Sequence, residues 1–109
     1  MSVTDPHAEL ESLLREPVVL LYKHSATCPI SAMSYDEIAR LADAHPGLPI
    51  HVVDVHADRP LSLHIAERFG IRHESPQAIL VHAGRPVWHA SHYRVTAHAI
   101  RREVEGLGE

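Results

Sequence analysis

The chain has 109 residues, 45% hydrophobic and 22% charged, which suits a single globular domain, 1–109, with a modest core. Its 10 Lys and Arg against 14 Asp and Glu give −4 at pH 7, which argues against a nucleic-acid or anionic-membrane partner. One cysteine excludes an internal disulfide, and no apolar run approaches the roughly 18 residues of a membrane span.

The first residues, Met1-Ser2-Val3-Thr4-Asp5-Pro6-His7, have neither a basic start nor an apolar middle, so no secretory leader is expected. With a lone cysteine, a reducing cytoplasm is the expected compartment. The 11 histidines read as solvated positions that would turn the net charge positive in mild acid. A helix is predicted over about 5–16, with Leu10, Leu13 and Leu14 on one side. Pro17 then opens Val18-Val19-Leu20-Leu21-Tyr22, a continuous apolar run that suits a strand covered on both faces. After the turn His24–Thr27 a second helix runs from Cys28-Pro29 to about residue 45. Ile30, Met33, Ile38 and Leu41 share its apolar arc, and Pro46-Gly47 ends it.

Ile50–Val55 reads as a second strand. Asp58 is placed to cap a third helix, with Pro60 in its first turn, Leu61, Ile65 and Phe69 on its buried face and Gly70 as its terminator. Gln77–His82 and Pro86–Ala90 read as strands joined by the short turn Ala83-Gly84-Arg85. The last helix starts at Thr96, with Val95 and Ile100 at the spacing of a hydrophobic staple, and stops at Gly106. Strands separated by helices imply parallel pairing, and the final hairpin is antiparallel. The predicted class is α/β: a central mixed four-stranded sheet with helices on both faces.

Cys28 sits where a buried strand hands over to a helix, and Pro29 fits the first helical position because it lacks an N–H. Cys28 is then the N-cap. Its sulfur faces the free amides of Ile30 and Ser31 and the positive end of the helix dipole, which favour a thiolate. Thiols so placed fall from about 8.5 to roughly 3.5–7.5 in pKa. Ser31, three residues on, shares the side of the helix with Cys28, and Tyr35 lies one turn further. The apolar arc points elsewhere, so a reactive thiol is favoured over a buried small residue. His24, four residues before Cys28, is either a thiolate partner and proton shuttle or a plain loop spacer. Ser75-Pro76, directly before the third strand, marks a special turn, and its isomer is left open.

Taken together, Thr27-Cys28-Pro29-Ile30-Ser31 after a strand, Phe69-Gly70-Ile71-Arg72, and Ser75-Pro76 before a hairpin resemble a thioredoxin-like fold. More narrowly, Lys23-His24-Ser25 through Cys28-Pro29-Ile30-Ser31 is similar to the monothiol bacilliredoxin family of the bacillithiol system. The resemblance implies that Pro76 is a cis-proline facing the Cys28 sulfur and that the Ser75 backbone pairs with a bound thiol substrate. It implies catalysis by Cys28 and Ser31, contacts from Pro29 and Ile30, and removal of bacillithiol from client proteins that carry it as a mixed disulfide. No tightly bound cofactor or metal is expected, bacillithiol serves as co-substrate, and a second low-molecular-weight thiol resolves the intermediate. A monomer or weak dimer is expected. Bacillithiol is anionic, so Lys23 and Arg72 are the candidate cations at the cleft. Ser31 stands where thioredoxins carry a second cysteine, and Tyr22 where many carry a buried acid, so general dithiol reduction is not expected.

Two other classes of function stay open at this point. Monothiol relatives of this fold can hold a metal or iron–sulfur cluster between two chains. Here no His-x-x-x-His helix or Cys pair supports that, and His89-x-x-His92 is weak support. A catalytically silent adaptor is the third reading.

Overall fold

The apolar run Val18–Tyr22 does become a strand covered on both faces, and the rest of the molecule is arranged around it. The computed structural model describes residues 5–107. Its elements are α1 (Pro6–Leu13), β1 (Val18–His24), α2 (Pro29–Ala44), β2 (Ile50–Asp54), α3 (Arg59–Phe69), β3 (Gln77–His82), β4 (Arg85–Ser91) and α4 (Ala97–Glu105). A 3₁₀ turn, His92–Arg94, joins β4 to α4. The sheet order is β2-β1-β3-β4. Among the described residues no helix is long and apolar enough to cross a membrane.

Side chains alternate along β1. Val19 and Leu21 join Leu10, Val53, Leu61, Ile65, Ile79 and Val81 in a core under α1 and α3. Leu20 and Tyr22 join Ile38, Leu41, Ala78, Leu80, Val95 and Ile100 in a second core under α2 and α4. Helices on both faces leave β1 no solvent side, which is why its sequence does not alternate. Fully burying a Leu or Ile contributes about 1.5–3 kcal/mol.

One expectation about the sheet fails. β1 and β2 are parallel, with Leu20 opposite Ile50, but β1 and β3 are antiparallel, with Leu20 opposite Leu80. Asp54, at the end of β2, pairs with His24, and Gln77, at the start of β3, pairs with Lys23. The chain through α3 and residues 70–76 therefore returns to the end of the sheet it left. It does not carry over to the opposite end, as a parallel crossover would.

The hairpin between β3 and β4 turns on Ala83 and Gly84, both at positive φ (53° and 78°), the pattern of a type I′ loop. Pro86 is tolerated because β4 is an edge strand, and the register slips beside it, between Leu80 and Val81. Gly70, at φ 65°, ends α3 in the left-handed conformation. Thr96 caps α4 by accepting from the Ala99 N–H at 3.1 Å, and Val95 and Ile100 pack in one core as a staple requires. Asp58 stands at the N-cap of α3 without capping it, and its carboxylate takes the Asp54 N–H at 3.4 Å. The first helix ends at Leu13, short of the predicted 16: beyond it the chain tightens into turns in which the Arg15 and Glu16 N–H groups donate to the Ser12 and Leu13 carbonyls at 3.3 Å.

The buried face of α2 also differs from the predicted arc. Ser31, Ser34, Ile38 and Leu41 are buried, whereas Met33 is 60% exposed and Ile30 only half-buried. The spacing of three, four and three residues is a proper helical stripe. Serines occupy its first two positions because a polar atom lies opposite them.

Candidate active site

β1 ends at His24, and a three-residue loop delivers Cys28 to the head of α2. Cys28 is the N-cap, in extended conformation (φ −102°, ψ 122°), with Pro29 as the first helical residue. The thiol is free and partly exposed. Its sulfur closes no cap hydrogen bond, and the Ser31 N–H donates to the Cys28 carbonyl at 3.0 Å, so the helix acts on the sulfur through the partial positive charge of its first amides. The Ser31 N–H does most to hold the thiol below its ordinary value. The Ile30 N–H and the Ser31 hydroxyl add to this, and burial opposes it. The side chain of Ser31 is buried, and its Oγ accepts from the Ser25 N–H at 3.2 Å. Its own hydroxyl proton is thereby left to point at a thiolate.

Beneath the first turn of α2 lies a polar network. The buried Tyr22 hydroxyl is 2.6 Å from Ser34 Oγ, donates to the Ser31 carbonyl at 3.2 Å, and lies 3.2 Å from His24 Nδ1. Burial pushes the Tyr22 hydroxyl pKa up, so it stays protonated as a donor. Tyr22 and His24 do not approach Cys28 through any hydrogen bond. Instead they fix the loop and the helix start that carry it. Tyr35 covers His24, with ring centroids 5.1 Å apart. On the other side of the loop, Ser25 Oγ is 3.2 Å from both Thr27 Oγ1 and His56 Nε2.

The Ser75-Pro76 bond is cis. Pro76 is buried, and its carbonyl accepts from the His92 N–H at 2.9 Å. Because Gln77 pairs with Lys23, Ser75-Pro76 and the Cys28 loop stand at the same end of the sheet. Ser75 is half-buried, and its hydroxyl has no hydrogen-bond partner. Pro29 is exposed, as is Arg72, whose carbonyl accepts from Gln77 Nε2 at 2.9 Å.

Lys23 departs from expectation. It is fully buried on the α3 side of β1, so it is not a surface cation at the cleft. Its Nζ is 3.0 Å from His73 Nδ1, and among the described residues no carboxylate pairs with it. Burial lowers its pKa to about 8. The alternation Val19, Leu21, Lys23 points inward and was the signal that could have placed it.

Several neighbours of the site escaped the sequence. Ser34, Ser25 and His56 belong to its supporting network, and the spacing of Ser31 and Ser34 opposite a buried tyrosine was the available clue. Beside Ser75-Pro76 lies a cavity of about 420 Å³, walled mainly by Glu74, His89, Ser91, His92, Tyr93 and Arg94. Its form depends on His92 at φ 55°, a left-handed residue that no composition rule announces. Among the described residues no group of three or more His, Cys, Asp or Glu side chains could hold a metal ion.

Comparison with known proteins agrees with this geometry. The family described as monothiol bacilliredoxin BrxC matches residues 4–100. A solved thioredoxin-fold protein, described as a candidate oxidoreductase, is 28% identical with a TM-score of 0.82, over 92% of this chain and 88% of its own. Thioredoxin from Fasciola hepatica superposes with a TM-score of 0.71 at 17% identity, covering 92% of each chain. Mitochondrial thioredoxin 3 from Saccharomyces cerevisiae gives 0.71 at 14% identity, over 95% of this chain and 92% of its own. These two thioredoxins speak to the fold alone.

Proposed function

Since the chain belongs to the monothiol bacilliredoxin family, and is thus a thiol redox protein of thioredoxin fold, we propose that it removes bacillithiol from client proteins. The Cys28 thiolate attacks the bacillithiol sulfur of a client mixed disulfide. The bond between that sulfur and the client breaks, and the client leaves as a thiolate. Cys28 now carries bacillithiol through a new disulfide. A second low-molecular-weight thiol, as its thiolate, attacks the bacillithiol sulfur. A small-molecule disulfide departs, and the Cys28 thiolate is restored. Each step exchanges one disulfide for another, and over the cycle the second thiol is the reductant: it ends in the small-molecule disulfide while the client cysteine is freed as a thiolate.

The observation that carries this reading is the placement of the chain's single cysteine, partly exposed, at the head of α2. The same amides that favour the attacking thiolate favour Cys28 as a leaving group in the second step. Ser31 in place of a second cysteine means that the resolving thiol comes from solution. The proposed setting is a reducing cytoplasm, where such thiols are abundant.

The test uses a client protein loaded with bacillithiol and intact-mass detection. The chain releases the client thiol and transiently gains one bacillithiol adduct on Cys28, and added bacillithiol clears it. Cys28→Ala abolishes both. Release by Cys28→Ala at the parent rate would mean a silent adaptor. An adduct from oxidised glutathione that forms as fast as that from oxidised bacillithiol would remove the specificity.

A further inference from the structure

We propose that Lys23 and His73 are positioning residues for thiol–disulfide exchange: their hydrogen bond clamps the segment carrying Ser75-Pro76 to the end of β1. This inference rests on the proposed exchange at Cys28, with the incoming disulfide lying along Ser75-Pro76, and it names what holds that segment in place.

Lys23 and Gln77 stand opposite each other in the β1–β3 ladder, so their side chains share the face of the sheet beneath α3. Both are buried, and both reach back to the segment before Pro76. Gln77 Nε2 donates to the Arg72 carbonyl at 2.9 Å, and Lys23 Nζ donates to His73 Nδ1 at 3.0 Å. The five residues His73–Gln77 are thus tied to Lys23 at both ends, by strand pairing at Gln77 and by the ammonium at His73. The same strand end leads through His24 into the Cys28 loop. One residue therefore sets the Ser75-Pro76 segment against the strand that delivers the nucleophile.

An ammonium has donors only, so His73 Nδ1 accepts and the imidazole proton sits on Nε2. Ser62 Oγ, buried in α3, lies 3.4 Å from the same Nδ1. Burial, then Lys23 on β1, then Arg59 on α3 hold the His73 pKa below its ordinary value, so the ring is neutral at pH 7. On its own segment it is flanked by Arg72 and Glu74. In acid the ring becomes an imidazolium. It can no longer accept from Lys23, its new Nδ1–H turns to Ser62 Oγ, and two cations face each other where the clamp was. Among the described residues no carboxylate pairs with Lys23, so its buried charge weakens the fold. A residue that breaks the rules of burial at the active end of a sheet points to a duty in the site.

The experiment compares two reactions of Cys28 from about pH 5 to 9. Alkylation by iodoacetamide needs only the thiolate, which displaces iodide. Exchange with oxidised bacillithiol or oxidised glutathione also needs the disulfide aligned: the thiolate attacks one sulfur and expels the other half as a thiolate. Dividing the exchange rate by the alkylation rate at each pH cancels the thiolate fraction. Lys23→Met should lower that ratio about tenfold at pH 7, the scale of one charge-assisted hydrogen bond. Its alkylation should stay within about twofold of the parent, which also shows a folded site. The parent ratio should fall in acid as His73 protonates. His73→Asn, whose amide oxygen accepts from Lys23 without titrating, should keep the neutral ratio and lose the acid fall. Across the Lys23 value of about 8 the parent ratio should stay level, because a neutral amine still donates. Equal slowing of both reactions by Lys23→Met, or an unchanged ratio, overturns the clamp. So does an acid fall that survives in His73→Asn, or a step in the parent at the Lys23 value. The parent's preference between the two disulfides tests the bacillithiol reading separately, since the clamp is judged from variant against parent with either one.

Discussion

Ser31 has two duties at the head of α2, and they respond differently to substitution. Its Oγ satisfies the buried Ser25 N–H, and its hydroxyl helps hold the Cys28 thiol low. Ser31→Ala orphans that amide and should cost about 1–3 kcal/mol, read from urea denaturation. The same change should raise the Cys28 titration point only in part, because the Ser31 backbone N–H, the larger influence, remains. Tyr22→Phe should cost less, about 1 kcal/mol, because Ser34 Oγ keeps its bond to the Ser31 carbonyl at 3.1 Å and the ring still fills the core. At this scale Cys28 as an N-cap was legible, since a cysteine before proline after an apolar run admits few other placements. The Tyr22 network was not, because its partners are separated by up to twelve residues and one is a backbone carbonyl.

Within β1, Lys23 is the element's least comfortable residue. A cation held between α3 and the sheet without a carboxylate costs stability while it is charged. Its pKa falls from 10.5 to about 8 on folding, so the unfolded chain binds more protons between those values. Stability should therefore rise as pH climbs through about 8 toward 10. Above 10 the trend should reverse, because burial raises the Tyr22 pKa and the unfolded tyrosine ionises first. Lys23→Met should be more stable than the parent at pH 7, on the order of 1–3 kcal/mol, and should lose the gain above about pH 8.5, below which the lowered Cys28 thiol also contributes. A variant that keeps the full rise would show that another group titrates there. Periodicity and caps made the helices legible, down to the Thr96 cap and the Gly70 stop. The direction of β3 was not legible, since a helix between two strands does not reveal at which end of the sheet the chain re-enters.

Across the whole molecule, the sheet gathers four chain segments at one end. β1 and β2 finish there, β3 begins there, and β4 returns there at Ser91 opposite Gln77. Cys28, Ser75-Pro76 and the cavity walled by Glu74 and Arg94 come together through that convergence, although they are distant in sequence. The motif around Cys28 was readable because it is contiguous. The cavity was not, because it is assembled from the loop before β3 and the turn after β4. With a single thiol, the chemistry proposed for the chain depends on the charge state of the Cys28 sulfur. The most direct measurement is the ultraviolet titration of the Cys28 thiolate in the folded protein, with Cys28→Ala as blank. The half-point should lie clearly below the ordinary thiol value of about 8.5 and move up to it in denaturant. A folded-state half-point at or above that value would contradict the activated thiol.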